Sequence, residues 1–214
     1  MVAGDPAKFE AHNGSLQSGA ACRAARFVLS ASRVAQLPAD SRAEVAFAGR
    51  SNAGKSSVIN ALSGNAKLAR ISKTPGRTQA LNCFRLAPER YLIDLPGYGY
   101  AKVSHAQRNH WHHELGRYFL EREALRGLVL VVDARRGLSE LDWQMIAMLR
   151  ERRTPLHCLL NKADKLASNA AHRTLQRETS ALQDQAGGAT VQLFSASKRR
   201  GLEECYAVLA GWLD

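Results

Sequence analysis

Gly49, Arg50, Ser51, Asn52, Ala53, Gly54, Lys55 and Ser56 follow the pattern GxxxxGKS, a spacing that wraps backbone amides around phosphate oxygens. The glycines let the chain approach a phosphate closely, the amides at the following helix N-terminus present positive ends, and the Lys55 ammonium can reach a β or γ phosphate. Ser56 then offers its hydroxyl to Mg²⁺, with Ser57 beside it in the first helical turn. Val45 to Ala48 before the loop, and Val58, Ile59, Ala61 and Leu62 after it, read as the strand and helix that this motif requires.

Three further strings carry compatible chemistry. Tyr91, Leu92 and Ile93 run into Asp94, Leu95, Pro96 and Gly97, a DxxG arrangement in which the carboxylate reaches Mg²⁺ through water and the Gly97 amide contacts a γ phosphate. Upstream, Gly76, Arg77, Thr78, Gln79 and Ala80 line a loop after the first helix. A threonine hydroxyl there, Thr78 in preference to Thr74, completes the Mg²⁺ shell only while the γ phosphate is present. Asn161, Lys162, Ala163 and Asp164 follow the apolar run 156–160. Asp164 can accept from guanine N1–H and N2–H₂, Lys162 can lay its stem over the base, and Asn161 can tie this loop to the phosphate loop. Adenine lacks those donors and would leave a buried carboxylate unpaired. Phe194, Ser195 and Ala196 close a later strand, where the Ala196 amide can meet guanine O6. Each short string alone also serves as an ordinary turn or cap. All of them in this order point to GTP and GDP as ligands.

The elements that must hold these strings alternate between strand and helix. Strands are expected near 44–48, 81–86, 90–94, 127–133, 156–160 and 190–194, and helices at 55–63, about 107–125, 140–152, 170–184 and 202–213. That is an α/β pattern with a mostly parallel central sheet, whose ligands sit at the carboxyl ends of the strands. The three residues between strands 81–86 and 90–94 are too few for a crossover, so an antiparallel hairpin is expected at one edge. Residues 1–25 read as a flexible tail and 26–214 as a single domain.

With 214 residues, 45% of them hydrophobic, the chain can bury a substantial core but has no room for a second full domain. Cys22, Cys83, Cys158 and Cys205 fit no zinc or redox spacing and read as buried thiols. No apolar run reaches the ~20 residues of a membrane span, and the N-terminus lacks an export signal, so a cytoplasmic protein with no membrane partner is expected. The net charge of +11 favours a polyanion, and RNA is the natural candidate. Basic residues come in knots: Arg117, Arg122 and Arg126; Arg135 and Arg136; Arg150, Arg152 and Arg153; Lys198, Arg199 and Arg200.

Phe27 to Ser30, Glu44 to Ser57, Thr74 to Gln79, and Asp94 to Ala101 together resemble the EngB (YihA, YsxC) family of bacterial ribosome-assembly GTPases, over roughly residues 25–213. The resemblance implies a three-layer, Ras-like P-loop GTPase fold and binding of GTP and GDP with Mg²⁺ on Ser56 and Thr78; a monomer is the default expectation. The resemblance also implies a part in maturing the large ribosomal subunit, with its precursor and rRNA as partners, and a need for the protein in normal cell division and septation. A division scaffold regulated by GTP without ribosome contact is the alternative. That family more often has threonine where this chain has Asn161. Tyr98 stands where Ras-like enzymes place a glutamine that orients the attacking water, so hydrolysis without an activator is expected to be slow, with Lys55 the one transition-state charge in view. In a set of similar GTPases an asparagine at the Asn52 position helps coordinate K⁺, which makes K⁺ a second candidate cofactor.

Overall fold

The computed structural model describes residues 19–69, 80–99, 105–186 and 188–214, apart from the side chains of residues 105–110, 112 and 185. In chain order the elements are α1 (Ala20–Arg23), β1 (Arg26–Ala31), β2 (Ala43–Gly49), α2 (Lys55–Ser63), β3 (Leu81–Ala87), β4 (Arg90–Asp94), α3 (His105–Glu121), β5 (Leu125–Asp133), α4 (Glu140–Leu149), β6 (Leu156–Asn161), α5 (Ser168–Gln185), β7 (Thr190–Leu193) and α6 (Leu202–Leu213).

The strands form one sheet in the order β1-β3-β4-β2-β5-β6-β7. Its pairings are parallel from β4 through β2, β5 and β6 to β7, and β3 runs antiparallel to both of its neighbours. The expected hairpin is therefore present, but β1 adds outside it, so β3 lies one strand in from the edge. Periodicity gives no sign of β1, because an edge strand with Phe27 and Val28 exposed has no buried face to alternate with. The last part of the stretch expected to be a tail holds α1, whose Cys22 is buried in the core under α2 and α6.

Alternation along the buried strands separates two apolar layers. Val45 and Phe47 of β2 with Val129 and Val131 of β5 pack toward α2 and α6, on Val58, Ile59, Leu62, Tyr206 and Leu209. Ala46, Leu128, Leu130, Cys158 and Leu160 pack on the other face toward Tyr118, Phe119, Met145, Ile146 and Leu182. All seven residues of β2 and all six of β6 are buried, as expected for strands covered on both faces. All four cysteines are buried free thiols. The core thus fixes the strand ends, and every loop discussed below hangs from the carboxyl end of β2, β4, β5, β6 or β7.

Candidate functional site

The phosphate loop leaves β2 at Gly49 and enters α2 at Lys55. A Cβ at Gly49 would stand 2.6 Å from the Val131 carbonyl oxygen, so only glycine lets the loop start this close to β5. Gly54 has φ +98°, and a Cβ there would collide with Asn161 Nδ2. Ser56 and Ser57 are half-buried in the first turn of α2. The parallel pairing of Phe47 with Asp94 sets the DxxG string beside this loop. Leu95 N donates to Phe47 O (2.9 Å) and Ser51 N to Tyr98 O (2.8 Å), so Asp94, Leu95, Pro96 and Gly97 pass along the phosphate loop. The Lys55 ammonium pairs with Asp94 Oδ1, and Asn82 Nδ2 donates to Oδ2 at 3.3 Å. Ala80 is half-buried just before β3. Gly76, Arg77, Thr78 and Gln79 lie outside the described residues.

The base-side loop is stitched to the phosphate loop from β6. Asn161 Nδ2 donates to Ala53 O (3.0 Å), and its Oδ1 accepts from Ala196 N (3.2 Å), so one amide side chain joins three strings. Lys162, at φ +65°, donates through Nζ to Asn52 O at 2.6 Å. Asp164 begins the turn after it, and the Ser195 hydroxyl donates to its Oδ1 at 2.6 Å. That hydrogen bond is the main cause holding the Asp164 carboxyl below its ordinary pKa. Ala163 N donates to Phe194 O (3.1 Å) and closes the loop on β7.

Two features of the site escape the sequence reading. Asp133, the last residue of β5, is buried and accepts from Arg135 N (3.1 Å), Nε (2.9 Å) and Nη2 (2.6 Å) and from Lys162 Nζ (3.0 Å). The Arg135 guanidinium, then Lys162, holds its carboxyl well below the usual range against the opposing effect of burial. Its one signal in the sequence is its place at a strand's carboxyl end, where the phosphate-loop, DxxG, NKAD and Phe194–Ala196 strings also sit. The second is the anchorage of Tyr98, whose hydroxyl donates to Asp142 Oδ1 (2.6 Å) on α4, while Ser139 N and Oγ bond the other oxygen at 2.7 and 2.5 Å. Between these groups lies a cleft of about 120 Å³ lined by Arg50, Asn52, Asp133, Arg135, Arg136 and Asp142 among others. Arg50 Nε is buried there with no hydrogen-bond partner among the described residues.

The basic knots divide once the partners are visible. Arg117 pairs with Glu121, Arg122 with Glu44 and Arg135 with Asp133, while Arg126 and Arg152 donate to the carbonyls of Arg42 and Arg122. These five are paired within the protein. Arg136, Lys198, Arg199 and Arg200 are exposed on loops after β5 and β7, at the nucleotide end of the sheet.

The profile of the family described as "50S ribosome-binding GTPase" matches residues 44–162. A protein of Xanthomonas campestris pv. campestris named "Probable GTP-binding protein EngB" is 52% identical over 190 residues, 88% of this chain and 92% of that one. Among solved structures, that of a "probable GTP-binding protein engB" superposes with a TM-score of 0.62 at 24% identity, over 80% of this chain and 98% of the other. Era in complex with MgGDPNP and nucleotides 1506–1542 of 16S ribosomal RNA gives a TM-score of 0.63 at 23% identity, over 80% and 57%. At such identities the superpositions speak for the fold.

Proposed function

Because this chain belongs to the EngB family of GTPases, binding GTP and hydrolysing it, we propose that it is a GTP-gated factor in assembly of the large ribosomal subunit. In this reading it is a monomer that docks on precursor rRNA in the GTP state, leaves after hydrolysis, and supports cell division by supplying ribosomes. The observation that carries the proposal is the placement of the exposed cations Arg136, Lys198, Arg199 and Arg200 on loops at the same end of the sheet as the nucleotide loops. A phosphate-rich partner held there would lie beside the segment that nucleotide state rearranges. The family description and the Era complex point to ribosomal RNA as that class of partner.

The geometry supports the following nucleotide roles. Gly49 to Ser56 cradle the phosphates, and Lys55 exchanges Asp94 for a phosphate oxygen. Asp164, held by Ser195, accepts from the guanine edge, and Lys162 covers the base. Ser56 and Asp94 offer hard oxygens from adjacent elements, a donor set suited to Mg²⁺, and Thr78 would complete it. Bound there, the ion would neutralise charge on the β and γ phosphates. Tyr98 supports slow hydrolysis, since its hydroxyl is committed to Asp142 and it carries no amide to orient water. K⁺ on Asn52 is the proposed supplement: turnover rises when KCl replaces NaCl at equal ionic strength and Asn52→Ala loses the gain, whereas equal rates in both salts remove K⁺ from the scheme.

Co-sedimentation with large-subunit precursor particles, at several salt concentrations, tests the docking role. Binding stronger with a non-hydrolysable GTP analogue than with GDP, and weaker as salt rises, is expected. No association in any nucleotide state would favour a division scaffold without ribosome contact. Among the described residues, no helix is long and apolar enough to cross a membrane.

A further inference from the structure

Lys162 has four rotatable side-chain bonds and a backbone in the left-handed region, so holding its ammonium in one place requires fixed acceptors. Two are present, Asn52 O on the phosphate loop and Asp133 Oδ2 at the end of β5. The carbonyl is neutral, and the carboxylate is the charge-assisted partner. Asp133 is itself fixed independently of any ligand. It pairs with Asn161 in the β5–β6 ladder, Ala134 N donates to Asn161 O at 2.8 Å, and Arg135 clamps both carboxylate oxygens through Nε and Nη2. The sheet therefore carries Asp133 to the start of the base-side loop, and Asp133 hands a fixed charge to the lysine next in sequence to its ladder partner.

We propose that Asp133 is a positioning residue for the nucleotide: by anchoring the Lys162 ammonium over the phosphate loop, it sets how long GDP and GTP stay bound. The proposal rests on the reading of Lys162 as the lysine that covers the base. Arg135 keeps the carboxylate oriented from the solvent side, with its side chain 47% exposed, and Lys162 draws on it from the ligand side. Removing the charge at position 133 frees the lysine. Removing Arg135 leaves the lysine its anchor.

The test is the rate of release of a fluorescent GDP analogue from the full chain. Asp133→Asn is expected to speed release by roughly tenfold or more, the scale of one charge-assisted hydrogen bond. Arg135→Ala, which breaks the same ion pair from the other side, should leave the rate within about twofold. Asp133→Glu, which restores the charge, should recover part of the loss. In a Lys162→Met background Asp133→Asn should add nothing, because its route to the nucleotide is gone. Faster release in Lys162→Met together with unchanged release in Asp133→Asn would overturn the proposal and leave the reading of Lys162 standing. So would equal acceleration by Asp133→Asn and Arg135→Ala, which marks the pair as structural. Unchanged release in Lys162→Met would overturn the proposal, and unchanged release in Lys162→Ala, which removes the stem as well, would overturn the reading of Lys162.

Discussion

Buried ion pairs occupy both ends of the sheet, and they are built differently. At the amino end of β2, Glu44 is fully buried. Its Oε2 accepts from Tyr118 OH (3.0 Å) and its Oε1 from Arg122 Nε (3.0 Å) and Nη2 (2.5 Å), while Arg122 also reaches Pro38 O at 2.7 Å. The donors there come from α3 and the segment just after it, and Glu44 N is itself bonded to Ala124 O. At the carboxyl end, Lys55 pairs with Asp94 and Lys162 with Asp133, the lysines standing beside loop residues with positive φ at Asn52, Gly54 and Lys162, and Asp133 and Lys162 border an open cleft. The first cluster is complete within the protein and pins the packing of α3 on β2. The second faces the cleft, with Lys55 resting on a carboxylate and Arg50 Nε buried with no hydrogen-bond partner among the described residues.

If that contrast is right, the largest effect on stability belongs to the closed end. Glu44→Ala strands the Arg122 guanidinium and the Tyr118 hydroxyl in the core and should cost about 3–5 kcal/mol in urea unfolding. The remaining folded protein should bind GDP with unchanged affinity. A large affinity loss with little destabilisation would break the distinction between the two ends.

The open end should respond in the opposite sense. Gly54→Ala forces a Cβ toward Asn161 Nδ2 in a conformation that suits glycine, and should weaken GDP binding by about 2–4 kcal/mol in titration calorimetry. Asn161→Ala cuts the stitches to Ala53 and Ala196 and should weaken it by about 1–3 kcal/mol. Both should leave urea unfolding of the nucleotide-free protein closer to wild type than Glu44→Ala does.

A titration sharpens the comparison from the side of stability alone. His157 is buried on β6, Nε2–H donating to Gln192 Oε1 (2.8 Å) and Nδ1 accepting from Thr190 Oγ1 (2.7 Å), and burial lowers its pKa from the ordinary 6.5. Below pH 6.5 the unfolded chain takes up the proton first. Its contribution is therefore complete above that pH and is lost as the pH falls through the folded value. Melting temperature should decline over that window, and the decline should be absent in His157→Leu. The smallest effect is expected for Tyr98→Phe, which loses one hydrogen bond to Asp142 and about 1 kcal/mol, with GTP turnover little changed because the hydroxyl is turned away from the chemistry.

How much of the molecule is legible in its sequence depends on whether the chemistry is contiguous. The GxxxxGKS, DLPG and NKAD strings announce themselves because their residues act within one loop, and the strands that carry them are apolar runs bounded by turns. Asp133 acts alone, through partners two residues ahead and just past the end of the neighbouring strand, so no spacing marks it. Arg135 reads as part of a basic surface because a sequence does not say which charges pair; its carboxylate partner lies two residues upstream. Arg122 misleads for the same reason, its partner Glu44 being distant in the chain and adjacent in space. The helix expected to reach residue 125 stops at Glu121, because Leu125 already belongs to β5, and the helix expected to reach 152 ends at Leu149 in a 3₁₀ turn over Arg150–Arg152.

The division of the molecule into a closed end and a ligand-facing end is tested most directly by the salt dependence of binding to large-subunit precursor particles in the GTP-analogue state. Replacing Arg136, Lys198, Arg199 and Arg200 by glutamine should lower affinity and flatten the slope of log affinity against log salt, by up to about 0.7–0.9 for each RNA phosphate that is no longer neutralised. Replacing Arg42 and Arg153, at the far end of the sheet, should do neither. A slope that survives the first set and falls with the second would place the RNA at the closed end and contradict the account.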